Sequence, residues 1–141
     1  MGKKFWIAFI AVYVALAITD YLIHGVILSS TYASPELSHL WRPEMMQKMW
    51  IFYLVYLFMA YAFTWIFSKG YEGKGTGEGL RYGFFVGLLT STPMAYMSYV
   101  TYPIPYSLAM QWFLYGMVQA IVLGLVVAMV YGRPSGAPKP A

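Results

Sequence analysis

Asp20 and His24 stand four residues apart in an otherwise uncharged apolar run, so on a helix they share one face. A carboxylate inside a bilayer costs roughly 2.5–3.5 kcal/mol on insertion scales, so Asp20 needs a partner or a task. His24 titrates near neutrality when unperturbed, and a carboxylate one turn away can tune it. The pair suits three kinds of chemistry: a buried hydrogen-bonded link between helices, a proton or cation pathway, or the polar end of a quinone, lipid or haem site. Haem fits least well, because His24 is the sole histidine within an apolar stretch. Its second ligand would have to be Met94, Met97 or a residue of another chain. No metal centre is expected, since three or four ligands are needed and this region is poor in carboxylates and imidazoles.

Asp20 lies roughly 12–15 Å in from the far end of its span. Other polar residues reach a comparable depth: Thr90, Ser91 and Thr92 in the third apolar stretch, and Gln119 in the fourth. Tyr21 lies beside the Asp20 face, and Tyr96 stands about a turn further out than Thr92. Asp20, Tyr21, His24, Ser91, Thr92, Tyr96 and Gln119 are therefore expected to form one intramembrane polar cluster. Pro93 adds an acceptor near it by freeing the carbonyl of Leu89.

Four apolar stretches, 5–29, 49–68, 82–102 and 107–132, carry these residues, and Asp20 is the single formal charge among them. Each is about 20 residues or longer, enough at ~1.5 Å per residue to cross a ~30 Å hydrocarbon core. The expected fold is an all-α, integral-membrane four-helix bundle, one membrane domain over 1–141, with transmembrane helices at about 5–29, 43–69, 79–102 and 107–132. A short interfacial helix is expected in the first outer loop, where Ser34-Pro35-Glu36 reads as an N-cap followed by proline. Leu37, Leu40 and Trp41 would lie there on the membrane surface. Pro43 then opens the second helix with Glu44 in its first turn, and Trp50 and Trp65 mark the two interfaces.

The composition agrees: 60% of residues are hydrophobic and 10% charged, against about 25% charged in a soluble domain. The absence of cysteine excludes disulfides, thiolate chemistry and iron–sulfur clusters. Lys3, Lys4, Lys69, Lys74, Arg81, Arg133 and Lys139 fall on one side of the four spans, and only Arg42 and Lys48 on the other. Seven cations against two place both termini and the 70–81 loop in the cytoplasm, with the chain multi-pass in the inner membrane. The +4 net charge is read as topology, and no nucleic-acid partner is expected. Lys3-Lys4 and Ala15-Leu16-Ala17 resemble a signal peptide and its cleavage site, but the apolar run continues to Leu28, so a retained helix is expected.

Small residues recur at spacing four in the last two spans. Gly79, Gly83 and Gly87 lead to Ser91, and Gly116, Ala120, Gly124 and Ala128 form a second ladder. Each lets backbones approach closely, either between these two helices or against another subunit. The loop Gly70–Gly79 invites a phosphate-binding reading that fails: Lys74 is followed by Gly75, not Ser or Thr, and no strand precedes it. A mobile hairpin loop is expected instead. Trp50-x-x-Tyr53 with Gly70 and Trp112-x-x-Tyr115 with Gly132 repeat at a constant offset, too few identities to make the halves a repeat.

Asp20-Tyr-Leu-Ile-His24-Gly25, Leu40-Trp41-Arg42-Pro43-Glu44, Tyr71-Glu-Gly-Lys-Gly75, Gly77-Glu-Gly-Leu-Arg-Tyr-Gly83 and Tyr102-Pro-Ile-Pro105 form a recurring pattern. It resembles small four-span bacterial inner-membrane proteins whose function is not established. The likeness runs from about residue 18 to 132. It implies a bacterial cytoplasmic membrane and four spans, and it supplies no activity to carry over.

Function is approached by subtraction: no soluble domain, no cofactor motif and little extramembrane surface. The leading expectation is a non-enzymatic accessory or structural subunit of a larger inner-membrane complex, a respiratory one included. A small oligomeric proton- or cation-coupled transporter or channel using Asp20 and His24 is the alternative, and a quinone- or lipid-binding membrane protein the third. Partners are the bilayer and other membrane subunits or copies of the chain. No cofactor is predicted, with haem and quinone left open.

Overall fold

The computed structural model describes residues 1–132, and every regular element among them is helical. Arg133 and Lys139, two of the seven cations counted above, lie outside the described residues. Helix α1 spans Lys3–Asp20 and runs on without a break into a π-helical segment, Tyr21–Ile27. There the Leu28 amide reaches back five residues to Ile23 at 2.9 Å. Short α2 (Ser29–Tyr32) and two 3₁₀ turns, Ser38–Leu40 and Met45–Lys48, lead to α3 (Trp50–Gly70). Helices α4 (Thr76–Thr101) and α5 (Tyr106–Gly132) complete the described chain.

Three helical stretches are long and apolar enough to cross a membrane: Lys3–Ile27, Trp50–Gly70 and Tyr106–Gly132. Helix α4 is as long but less apolar, because glycine, Ser91, the threonines and Pro93 occupy positions that leucine or valine fills elsewhere. Helix α1 lies between α3 and α5. Ala8, Val12 and Leu16 bury their side chains among Ala60, Phe63 and Phe67 of α3 and Leu123, Val127 and Ala128 of α5. In hydrocarbon such contacts are held by close packing more than by escape from water.

Helix α4 packs antiparallel on α5 through the two small-residue ladders. Gly79 meets Gly124 and Ala128, Gly83 meets Ala120 and Ile121, Gly87 meets Met117 and Ala120, and Ser91 meets Gly116. A methyl group at Gly83 would come within 2.7 Å of the Ile121 Cα, so only glycine lets the backbones this close. The end of this pair nearest the Gly70–Gly79 loop is tied to α3 by Tyr82, which donates to the Phe63 carbonyl at 2.7 Å and packs its ring on Phe63 and Phe67.

The first loop differs from its sequence reading in two ways. The Ser34 turn is present, with the Ser38 amide bonded to the Ser34 carbonyl at 2.8 Å, but only one 3₁₀ turn follows. Trp41 is extended and Pro43 disfavours helix at Arg42, so the helix cannot propagate. Leu37 is also not spread on a membrane surface: it is buried against Ile104, Leu108 and Ala109, with Tyr32, Leu40, Trp41 and Trp112 around it. The loop is thus folded onto the α4–α5 turn. Pro43, expected to open the second helix, is separated from α3 by the Met45–Lys48 turn, and α3 begins at Trp50.

Candidate functional site

Asp20 closes the regular part of α1, and the π-helical turn that follows alters where the next side chains point. A π segment inserts an extra residue per turn and recurs at functional positions. Its effect here is a gap. His24 Nε2 stands 3.9 Å from Asp20 Oδ1, an ion-pair separation and not a direct hydrogen bond. Asp20 Oδ2 instead accepts a hydrogen bond from the Tyr56 hydroxyl of α3.

Tyr32 is the hub on the other side of the imidazole. Its hydroxyl lies 2.6 Å from His24 Nδ1 and accepts from Trp112 Nε1–H of α5 at 2.7 Å. The Tyr32 carbonyl accepts from Trp41 Nε1–H at 2.9 Å, and its ring stacks nearly parallel to His24, 9° between planes. An indole can only donate, so the Tyr32 oxygen is the acceptor there and its proton is free for His24 Nδ1. A neutral His24 then carries its hydrogen on Nε2, facing Asp20. Burial pushes the Tyr32 phenol up to about 12, with Asp20 adding to the rise against the opposing Trp112 bond, so Tyr32 keeps its proton near neutrality.

A second polar contact joins α1 to α5. Gln119 Nε2–H donates to Thr19 Oγ1 at 2.9 Å, and Thr19 in turn reaches the Ala15 carbonyl at 2.8 Å. Adjacent residues Thr19 and Asp20 therefore engage opposite neighbours, α5 and α3. Towards Lys4, the core continues as Leu16, Val12 and Ala8 against Ala60, Phe63, Leu123 and Val127. The buried hydroxyl of Thr64 has no partner in this region.

Of the residues expected to cluster, Asp20 and His24 meet, and Gln119 reaches the same level through Thr19. Tyr21 is exposed, with its ring over Gly25. Ser91 is buried against Gly116, Thr92 faces outward beside Pro93, and Tyr96 packs on Phe113 and Tyr106. These three belong to the α4–α5 pair and take no part in the Asp20–His24 chain. Met94 and Met97 are likewise exposed on α4. Among the described residues, no group of three or more His, Cys, Asp or Glu side chains could hold a metal ion.

Sequence reasoning missed Tyr56, Tyr32 and Trp112, which lie 36, 8 and 80 positions from their respective partners Asp20, His24 and Tyr32. Trp112 gave a usable signal, since an indole N–H inside an apolar helix must find an acceptor. Glu78 was missed too. It is buried, and its two carboxylate oxygens accept the Glu72 amide at 2.7 Å and the Lys74 amide at 3.0 Å. The glycine-rich loop is thereby closed on its own helix, with Gly73 and Gly75 at positive φ making the bend. Glu72 bonds Lys74, which holds its carboxyl below the usual carboxylate range, and Arg81 stands 3.6 Å away.

No protein-family model, curated protein or solved structure matches this chain.

Proposed function

We propose that the chain is a non-enzymatic integral membrane protein, a four-span helical bundle serving as an accessory or structural subunit of a larger inner-membrane complex. Helix α4 supplies the fourth span: its 26 residues reach about 39 Å, and no charged residue follows Arg81 within it. Both termini lie in the cytoplasm, on the cation count.

The observation that carries the reading is where the polar groups are spent. Tyr56 of α3 bonds Asp20, and Tyr32 of the first loop joins His24, Trp41 and Trp112 of α5; the two groups face each other across the 3.9 Å Asp20–His24 gap and together tie α1, α3, α5 and the first loop. Below Thr19 and Gln119 the path towards Lys4 is closed by Leu16, Val12, Phe63 and Leu123. A polar chain that ends in packed hydrocarbon joins helices; it does not carry ions across them. The broad apolar faces of α3, including Phe52 and Phe58, suit lipid and neighbouring subunits. Purification from its own membrane in mild detergent tests the proposal: a defined set of other membrane proteins should accompany the chain in constant ratio. Recovery of the chain alone, or only with copies of itself, would refute it.

Proton or cation transport by an oligomer is the second reading, favoured by the titratable Asp20–His24–Tyr32 sequence of contacts. Asp20→Asn separates the two. The amide oxygen still accepts from Tyr56, so a structural link survives, and the variant should complement a deletion with stability unchanged within about 1 kcal/mol. A folded Asp20→Asn protein that fails to complement would favour transport.

A further inference from the structure

Between Asp20 and His24 the π-helical turn leaves a gap whose two sides have opposite hydrogen-bonding character. Asp20 Oδ2 accepts from Tyr56, so Oδ1 faces the gap as an acceptor with no donor on it. His24 Nδ1 is taken by Tyr32, so Nε2–H faces the gap as a donor with no acceptor on it. The two atoms are 3.9 Å apart. An oxygen about 2.8 Å from each sits just off the line between them, so one oxygen can serve both. Both atoms are reachable. The Asp20 side chain is 26% exposed and that of His24 34%, and among the described residues the one buried polar side-chain atom with no hydrogen bond is Thr64 Oγ1.

An oxygen that accepts on one side and donates on the other is a hydroxyl. A carbonyl or ether oxygen takes the His24 hydrogen but brings no proton to Asp20, leaving two acceptors face to face. A cation suits Asp20 but meets the Nε2 hydrogen. Depth then limits which hydroxyl can arrive. Asp20 lies in an apolar span, roughly 12–15 Å in from its far end, deeper than the interface where glycerolipid hydroxyls sit. A molecule that brings a hydroxyl there is itself soluble in hydrocarbon. Tyr56, which holds Asp20, has Phe52 stacked on it at 6.4 Å and Tyr53 edge-on at 6.1 Å, and both of those rings are exposed. Aromatic groups beside the carboxylate favour a flat ring over a flexible alcohol. A phenolic hydroxyl is also the more acidic of the two, and so the stronger donor to a carboxylate.

We propose that the gap between Asp20 Oδ1 and His24 Nε2 binds a ring hydroxyl of a lipid-soluble hydroquinone, which donates to Asp20 and accepts from His24. The assignment is one of binding and involves no electron transfer. It stands apart from the subunit role, because Tyr56, Tyr32 and Trp112 keep their bonds whether or not the gap is filled.

The test compares three probes of one carbon skeleton: duroquinol, duroquinone and duroquinol dimethyl ether. Each is equilibrated by dialysis under argon with the full chain in mild detergent, and uptake by protein-free micelles is subtracted. The pH is held above neutrality, where an imidazole is uncharged. Wild type should bind duroquinol about tenfold or more tightly than either other probe, the worth of one hydrogen bond to a charged group. In Asp20→Asn the amide oxygen still accepts from Tyr56, which turns the amide hydrogens towards His24 and gives the gap two donors. That variant should lose the preference and bind duroquinone at least as well as duroquinol. Thr90→Val removes a hydroxyl of similar depth that bonds its own backbone on α4, and should keep the wild-type order. Equal binding of the three probes by wild type would overturn the site, as would no duroquinol uptake beyond the micelles, since the gap would then take water alone. So would a folded Asp20→Asn protein with the wild-type preference, or its loss in Thr90→Val. If Asp20→Asn loses helicity by circular dichroism, the wild-type comparison of duroquinol with its dimethyl ether still decides.

Discussion

A graded series of glycine-to-alanine substitutions along α4 tests the backbone contact with α5 more sharply than any large residue. At Gly83 the added Cβ would lie 2.7 Å from the Ile121 Cα and 3.0 Å from the Ala120 carbonyl carbon. Carbon atoms rest at about 3.5–4.0 Å, so the helices must part by roughly 1 Å along a contact that several residues share. Neither obstacle can rotate away, since both are backbone. Overpacking of this kind costs about 1–3 kcal/mol, and the better helix propensity of alanine returns ~1 kcal/mol, leaving a net loss of up to about 2 kcal/mol. At Gly87 the nearest atoms are the Met117 sulfur at 3.0 Å and the Ala120 Cβ at 3.1 Å. A thioether can swing aside, so the two effects should nearly cancel. At Gly77 nothing lies within 4 Å, and alanine should be neutral or stabilising by a few tenths of a kcal/mol. The expected order of stability is Gly77→Ala, then Gly87→Ala, then Gly83→Ala. It is measured by helical circular dichroism as sodium dodecyl sulfate displaces a mild detergent. If Gly83→Ala unfolds at the same detergent fraction as Gly77→Ala, the close approach of α4 and α5 is refuted.

Three further outcomes follow from other contacts. Glu78→Ala strips two loop amides of their acceptor and should cost about 1–3 kcal/mol. Trypsin should then cut after Lys74 several times faster than in wild type, and an unchanged rate would show that Glu78 does not hold the loop. Thr64→Val removes a buried hydroxyl that bonds to nothing, so stability should hold or rise by about 1 kcal/mol; a loss of that size would reveal a partner. Reporters inserted near Thr76 and fused after Ala141 should both read cytoplasmic and one near Leu37 external, and a periplasmic signal at Thr76 would overturn the orientation.

The helices were legible because their signals are local. Apolar length marks α1, α3 and α5 directly, and spacing four in Gly79, Gly83 and Gly87 names the face that α4 turns to its neighbour. The same composition makes α4 the least apolar of the long helices: a helix that packs through glycine gives up the hydropathy by which a span is recognised. Loop geometry was less legible. Ser34-Pro35 signals a helix start and a turn does form there, but nothing near Leu37 announces that Ile104 and Leu108 will bury it. That contact depends on the α4–α5 hairpin, about 70 residues further along the chain.

The polar site shows the same limit more severely. Helical spacing relates Asp20 to His24 because both sit on one element, but a face says nothing about which neighbour it meets. Depth along the membrane normal was the remaining guide, and it grouped Ser91, Thr92 and Tyr96 with Asp20. Depth is one coordinate, however, and the lateral order of helices supplies the other two. With α1 between α3 and α5, Asp20 is satisfied from α3 by Tyr56, Thr19 from α5 by Gln119, and the hydroxyls of α4 are left to their own pair. Even the spacing inside α1 is modified. The π-helical turn beginning at Tyr21 holds His24 at 3.9 Å from Asp20 and delivers its other nitrogen to Tyr32 at 2.6 Å. One inserted residue thus redirects the histidine from a carboxylate on its own helix towards the first loop and, through Tyr32, to Trp112 on α5. A link of that shape fastens three separate parts of the chain at one point.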